Sequence, residues 1–401
     1  MRILICVQSE PRDGLIDLKI KEELEKLGHE VKTCNFVLNG RKEVIKFKPH
    51  VIIMPEARCE YSRDYNEQVR YMKIRTVVRR TEAGFTKDNP SSEQHKRFCV
   101  GNWPYEVDLE IVWSEEFADI LRNKYHKENV IACGGAIFDV YFPRPERKKH
   151  KKKVVLFATI WDYADRRPYY CVPELPIGDK IQEENYYKCR QGRDVWIKEI
   201  KRVCKDYPDW HVVVKVHPAE HPTEYVQKLG KMAEVLNSPK AVDTLSNSDL
   251  LVHAGSTMAV EAHLMGIPAI QFCDLEETLM SKVSPHVRRV ELDKIDLSKS
   301  NANVKVIEEL EKRVFGTIDG KGCQRIAEAV NKLEPREIDV PDKWPEIDRS
   351  YETPGVFREC DWDKGALDAA QCVGCKNIVF VKKYITLFKC PYCSLALCRF
   401  L

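Results

Sequence analysis

Short apolar runs, each followed by a stretch of helical periodicity, recur from residue 2 to residue 272 of this 401-residue chain. Arg2 to Val7 reads as a strand, Gly14 to Leu27 as a helix stopped by Gly28, and Glu30 to Phe36 as a strand again. The series continues with a helix near Lys42 to Lys48, a strand Val51 to Met54, a helix around Asn66 to Lys73 and a strand Arg75 to Arg79. A strand Glu110 to Trp113, a helix Glu115 to Tyr125 and a strand Val130 to Cys133 complete it. This pattern predicts the α/β class, with a parallel sheet covered by helices on both sides.

A basic run from Arg144 to Lys153 interrupts the pattern, and a second series begins at Val154 to Thr159. It places helices around Arg193 to Lys205, Thr223 to Leu236 and Ser256 to Met265, and strands at His211 to Val216, Asp249 to His253 and Pro268 to Phe272. A last helix lies near Gly322 to Leu333, and Ile160 to Asp194 reads as a long irregular stretch rich in Tyr, Arg and Pro. Two doubly wound Rossmann-like domains follow: 1–142 and 154–335, joined by a basic hinge at 143–153. A Pro-rich connector spans 336–365, and a small terminal unit spans 366–401.

Composition narrows the function classes. The net charge is only +3, with 43% apolar and 32% charged residues, so no global field points to nucleic acid or a membrane surface. No apolar segment approaches the roughly 18 residues of a membrane span, and the N-terminal run is too short for a signal peptide. A cytoplasmic location is expected, and most of the 16 cysteines read as reduced, buried thiols.

Two strand tips carry unusual chemistry. Val212 to Val216 ends in Lys215-Val-His217-Pro218, and Asp249 to His253 ends in His253-Ala-Gly255-Ser256-Thr257. In a parallel sheet such tips face the crevice where ligands sit. Lysine supplies a fixed charge and histidine an adjustable donor. Gly255 permits close approach, and Ser256 and Thr257 are N-cap residues for a helix whose start favours an anion. Glu261 falls one turn after Thr257, where it can accept hydrogen bonds from ribose hydroxyls. His253 reads either as a structural histidine or as a donor contact. Together the two tips suit a phosphate or diphosphate.

These motifs, with the segment continuing Met-Ala-Val-Glu261-Ala-His-Leu-Met-Gly266-Ile-Pro268, resemble the carboxyl-terminal domain of GT-B glycosyltransferases, notably surface-carbohydrate biosynthesis proteins of the capsule and lipopolysaccharide type. In the first domain, Thr81-Glu82-Ala83-Gly84 is similar to that group's acidic motif before glycine, with one carboxylate in place of two. Cys133-Gly134-Gly135-Ala-Ile-Phe138-Asp139 resembles its hinge segment without the Pro-Arg. The resemblance implies a nucleotide-sugar donor held by Lys215, His217, His253, Gly255, Ser256, Thr257 and Glu261. It implies Lys215 and His217 as the groups that neutralise the leaving phosphate with no obligatory catalytic metal, and Glu82 as the base for a glycan, lipid-linked or nucleic-acid hydroxyl. Three other readings stay open: transfer to modified DNA bases, a non-hydrolysing sugar-nucleotide epimerase of the same fold, and a catalytically inactive nucleic-acid or protein-binding module.

Near the C-terminus, Cys372-Val-Gly-Cys375 and Cys390-Pro-Tyr-Cys393 form two C-x2-C knuckles separated by a strand-like segment. This spacing presents four thiolates tetrahedrally to one structural Zn2+ and predicts a zinc ribbon, whose role would be folding or docking of nucleic acid or protein.

Overall fold

The computed structural model describes residues 1–8, 10–55, 60–81, 105–161, 164, 180–217, 220, 222–237, 240–254, 256–272, 286–287, 308–309, 311–345, 367–372, 378–382 and 398–400. The first sheet contains β1 (Arg2–Val7), β2 (Glu30–Asn35), β3 (Val51–Met54), β4 (Arg75–Arg79), β5 (Leu109–Val112) and β6 (Val130–Ala132). Its order is β2-β1-β3-β4-β5-β6, and every adjacent pair is parallel. Ile3 on β1 lies opposite Val31 on one side and Val51 on the other, and the buried residues of β1 and β3 are apolar on both faces.

Helices α1 (Glu10–Lys26), α2 (Gly40–Phe47), α3 (Glu60–Tyr71) and α4 (Glu115–Tyr125) connect these strands. The local sequence explains α4 well: Ser114 Oγ accepts the Phe117 N–H at 3.3 Å, Glu115 and Glu116 open the helix, and Arg122 and Lys124 close it.

The second sheet contains β7 (Lys153–Ala158), β8 (Trp210–Val216), β9 (Glu234–Asn237), β10 (Leu250–His253), β11 (Ala269–Phe272) and β12 (His286–Val287), in the order β12-β11-β10-β7-β8-β9 and again parallel. Its helices are α5 (Lys180–Asp206), α6 (Pro222–Leu229), α7 (Ala241–Ser246) and α8 (Met258–Leu264). From β7 the chain winds to β8 and β9 on one side, then returns to β10 on the other. The switch point, where ligands bind in such sheets, therefore lies between the tips of β7 and β10.

Three sequence expectations change. The helix expected over Thr223 to Leu236 stops at Leu229, where Gly230 takes φ +54°, and the chain enters the short edge strand β9. An edge strand of four residues is too short to display a period. The irregular stretch Ile160 to Asp194 is helical from Lys180 onward, because a mainly polar helix gives no apolar stripe over that part. Residues 162–163 and 165–179 of that stretch lie outside the described residues.

The third difference concerns α9 (Gly322–Asn331), which falls within the stretch assigned to the second domain but packs on the first. Cys323, Ile326, Ala327 and Val330 join Ile16, Ile20 and Leu24 of α1 over β1. The 3.6 period marked α9 as a sheet-covering helix without naming which sheet. The crossing leading to it runs against the 133–141 segment, where Gly316 at φ +67° sits so close to the Trp113 carbonyl that a Cβ would lie 1.9 Å from its oxygen. Beyond α9 the connector continues on the first domain. Trp344 stacks on Tyr65 with ring centroids 5.2 Å apart, and its Nε1 donates to Gln68 Oε1 at 2.5 Å.

A third sheet, antiparallel in the order β14-β13-β15, comprises β13 (Leu367–Cys372), β14 (Ile378–Lys382) and β15 (Cys398–Phe400). Cys372 ends β13, whereas Cys375, Cys390 and Cys393 lie outside the described residues. Among the described residues no helix is long and apolar enough to cross a membrane.

Asp139, only 3% exposed, ties the crossing together. Its Oδ1 and Oδ2 accept the N–H groups of Gly322 and Cys323 at 3.1 and 2.6 Å, the open start of α9, while its carbonyl accepts from Lys19 Nζ at 2.6 Å. Asp139→Ala leaves two buried donors unpaired. It should lower urea stability by about 1–3 kcal/mol, with Asp139→Asn, which keeps one acceptor, losing less.

Candidate functional site

The strand tips named from the sequence meet at the second sheet's switch point. Thr159 follows β7, Lys215 and His217 end and follow β8, and Ser256, Thr257 and Glu261 begin the β10–α8 unit. All six line one cleft of about 170 Å³. Across it stand Leu15 and Ile16 of α1, with Ile137, Val140 and Tyr141 of the 3₁₀ turn Ala136–Tyr141. The cleft therefore lies between the domains, polar on the second-domain wall and mainly apolar on the first.

Lys215 and Glu261 are the two buried ionisable groups of this wall. Lys215 is 9% exposed and its ammonium makes no hydrogen bond or ion pair with the described residues, while Glu261 is 4% exposed and accepts a hydrogen bond from the Tyr141 hydroxyl at 2.5 Å. Burial pushes the Lys215 pKa down, and the charges of Glu261 and Glu220 pull against it. Burial likewise pushes the Glu261 carboxyl up, opposed by the Tyr141 hydrogen bond and the Lys215 charge. The same dehydration thus acts on both partners, and each charge steadies the other through space. The phenol of Tyr141 is driven well above its usual pKa by burial and by the carboxylate beside it, so it remains a donor.

Behind His217 lies a polar network that the sequence reading missed. Glu220 is 0% exposed and accepts hydrogen bonds from the Thr159 hydroxyl at 2.5 Å, the Trp161 N–H at 2.8 Å and the Tyr225 hydroxyl at 2.6 Å. Thr159 Oγ1 in turn accepts the His217 N–H at 2.8 Å. Burial raises the Glu220 carboxyl to about 7, against the pull of these hydrogen bonds and of Arg193. In sequence Glu220 looks like a solvated carboxylate three residues past a histidine, since nothing local shows that the turn folds back under β7. Tyr141 was missed for a related reason: its partner lies 120 positions away.

The β10 tip departs from the expected cap. Thr257 takes helical angles, φ −56° and ψ −20°, and makes no side-chain cap bond; instead Ser256 Oγ accepts the Met258 N–H at 3.2 Å. Thr257 is an exposed residue that lines the cleft. His253 is fully buried and is absent from the cleft wall; its Nδ1 accepts the Ser256 N–H at 3.2 Å, and burial lowers its pKa to about 3. This neutral imidazole shapes the loop from behind, which is the structural alternative for that residue. Gly255 and Pro218 lie outside the described residues.

On the first domain, β4 ends in two buried arginines with dedicated partners. Arg79 pairs with Asp17 of α1 at 2.6 Å, and Arg80 pairs with Glu110, which also accepts from Tyr105 at 3.0 Å. Burial pushes the Glu110 carboxyl up, but the charges of Arg80 and Lys127 outweigh it and hold the carboxyl below its usual range. These pairs fix the strand end that leads into Thr81. Glu82, the next residue and the expected base, lies outside the described residues.

A wall with a lysine, a histidine and two small hydroxyls beside one carboxylate can bind an oxyanion and a polyol side by side. No protein-family model matches the sequence, and no curated protein matches it. Among solved structures, the fold is similar to UDP-GlcNAc 2-epimerase of Methanocaldococcus jannaschii in complex with UDP-GlcNAc and UDP, at 14% identity and TM-score 0.51, covering 82% of this chain and 99% of that one. It is similar to MnaA of S. aureus with UDP, at 14% identity and TM-score 0.53, covering 84% and 99%. It is also similar to the wall teichoic acid polymerase TagF, at 12% identity and TM-score 0.50, covering 82% and 88%. What the chain shares with these proteins is the fold, two parallel-sheet α/β domains of the GT-B kind.

Proposed function

We propose that the protein is a nucleotide-sugar glycosyltransferase whose donor lies in the interdomain cleft. The observation that supports this is the meeting of Lys215, His217, Ser256, Thr257 and Glu261 on one wall at a topological switch point. In this reading Ser256 and Thr257 hydrogen-bond the diphosphate, and Glu261, already anchored by Tyr141, accepts from ribose hydroxyls. The acceptor oxygen bonds to the anomeric carbon as the bond to the phosphate oxygen breaks. The electron pair leaves with the phosphate, where Lys215 and His217 offset its charge, and the acceptor proton passes to Glu82. Groups placed in this way act where charge develops and need not reorganise during the step.

Screening the protein against cytidine, uridine, guanosine and thymidine sugar nucleotides, with mass spectrometry of both products, tests the reading. Release of one free nucleotide supports transfer and names the donor. A changed sugar still attached to its nucleotide would replace the proposal with an epimerase, and no reaction or binding across the panel would leave a binding module.

We also propose that Cys372, Cys375, Cys390 and Cys393 hold one structural zinc. The antiparallel sheet β14-β13-β15, with Cys372 at the end of β13, supports a ribbon there. The four thiolates would fill the shell, so the metal would supply folding energy and take no part in transfer.

His217→Ala is expected to fold like the wild type and lose about 100- to 1000-fold in kcat; undiminished turnover would remove the donor-site reading. Glu82→Gln is expected to keep slow donor hydrolysis and lose transfer to the acceptor. For the zinc site, metal analysis of the purified chain should give about one zinc per molecule, as a four-thiolate shell requires. Cys375→Ser with Cys390→Ser should abolish that zinc.

A further inference from the structure

The contacts around His217 separate what touches the cleft from what holds it there. The His217 main chain is gripped at both ends: its N–H donates to Thr159 Oγ1 at 2.8 Å, and its carbonyl accepts the Glu220 N–H at 2.9 Å. The Thr159 hydroxyl has one proton, and that proton is committed to Glu220 Oε1. Its lone pairs are thereby left to receive the His217 N–H. Glu220 thus sets the direction of the whole chain, from the turn after β8, back under the tip of β7, to the histidine at the cleft.

We propose that Glu220 and Thr159 are positioning residues that fix His217 against the leaving phosphate, an inference that rests on the donor-site reading above. The role belongs to hydrogen bonding at Oε1. Trp161 N–H holds that oxygen from the strand side, whereas Tyr225 bonds only the other oxygen, Oε2. A protonated carboxyl serves equally, because its proton can point to the Tyr225 oxygen while Oε1 continues to accept. With the carboxyl raised to about 7 both forms are populated near neutrality, and neither releases Thr159. A glutamine places the same acceptor at Oε1 and a donor toward Tyr225, so it should reproduce the arrangement.

This reasoning ranks four variants in a way that a general loss of stability does not. Thr159→Val removes the link to His217 while keeping shape and leaves the Trp161 and Tyr225 bonds intact. It should lower kcat by about 10- to 100-fold with KM little changed, as expected when a reacting group is misplaced by a fraction of its length. Glu220→Ala should lose at least as much, and Glu220→Gln should restore turnover. Tyr225→Phe, which removes an equally buried hydrogen bond from the same carboxylate, should lose stability but retain kcat.

Amide hydrogen exchange gives a readout independent of turnover. Exchange at His217 should quicken in Thr159→Val and Glu220→Ala and stay slow in Tyr225→Phe and Glu220→Gln. If Thr159→Val turns over donor like the wild type while His217→Ala does not, the positioning role is overturned and the donor site stands. If Glu220→Gln fails as Glu220→Ala does, with the fold intact by circular dichroism, hydrogen bonding at Oε1 is overturned as the cause. Full activity in His217→Ala removes the donor-site reading, and this inference with it.

Discussion

A parallel sheet has no face that tolerates water, and both large sheets here are wholly parallel. Helices must therefore cover four faces, and the chain meets that demand for the first sheet only by returning to it after the second domain is built. Ile16, Ile20 and Leu24 of α1 would otherwise have an open flank where Cys323, Ile326, Ala327 and Val330 of α9 now lie. The return forces a second passage beside the first connection between the domains. The close fit there, with Gly316 against the Trp113 carbonyl and Asp139 against the start of α9, follows from that constraint.

The cleft inherits its geometry from the same arrangement. The 3₁₀ turn that carries Asp139 also carries Ile137, Val140 and Tyr141, so one short segment secures α9 on one side and lines the cleft on the other. Through the bond from Tyr141 to Glu261, the first domain reaches the polar wall of the second. Aromatic packing of Trp113, Phe138 and Phe315 fills the space behind, with ring centroids 5.2 to 6.1 Å apart.

Much of this was legible in the sequence wherever the signal was local. Strand runs such as Arg2–Val7 and Val51–Met54 were readable because strands buried on both faces are mostly apolar. Lys215, His217, Ser256, Thr257 and Glu261 were readable because a parallel sheet displays its strand tips. What stayed hidden depended on distant partners. Glu220 and Tyr141 become informative only once β7 lies beside β8 and the interdomain turn meets α8. The cap at α8 misled in a subtler way, since Ser256 and Thr257 have the right chemistry but the helix begins with Ser256 alone bonding a backbone donor. His253 was ambiguous because the tip of a strand can face either the crevice or the core.

The return of α9 also bears on the order in which the molecule can form. Synthesis proceeds from the N-terminus at roughly 5–20 residues per second, and domains generally fold as units while it does so. The strands of the first sheet are complete once β6 (Val130–Ala132) has been made, yet α9, which completes their cover beside α1, begins only at Gly322. During that interval, on the order of ten seconds or more at such rates, the apolar stripe of α1 is without its cover. The first domain to emerge is the last to be finished, and a chain released before α9 is made would have a water-exposed flank of a kind that chaperones bind.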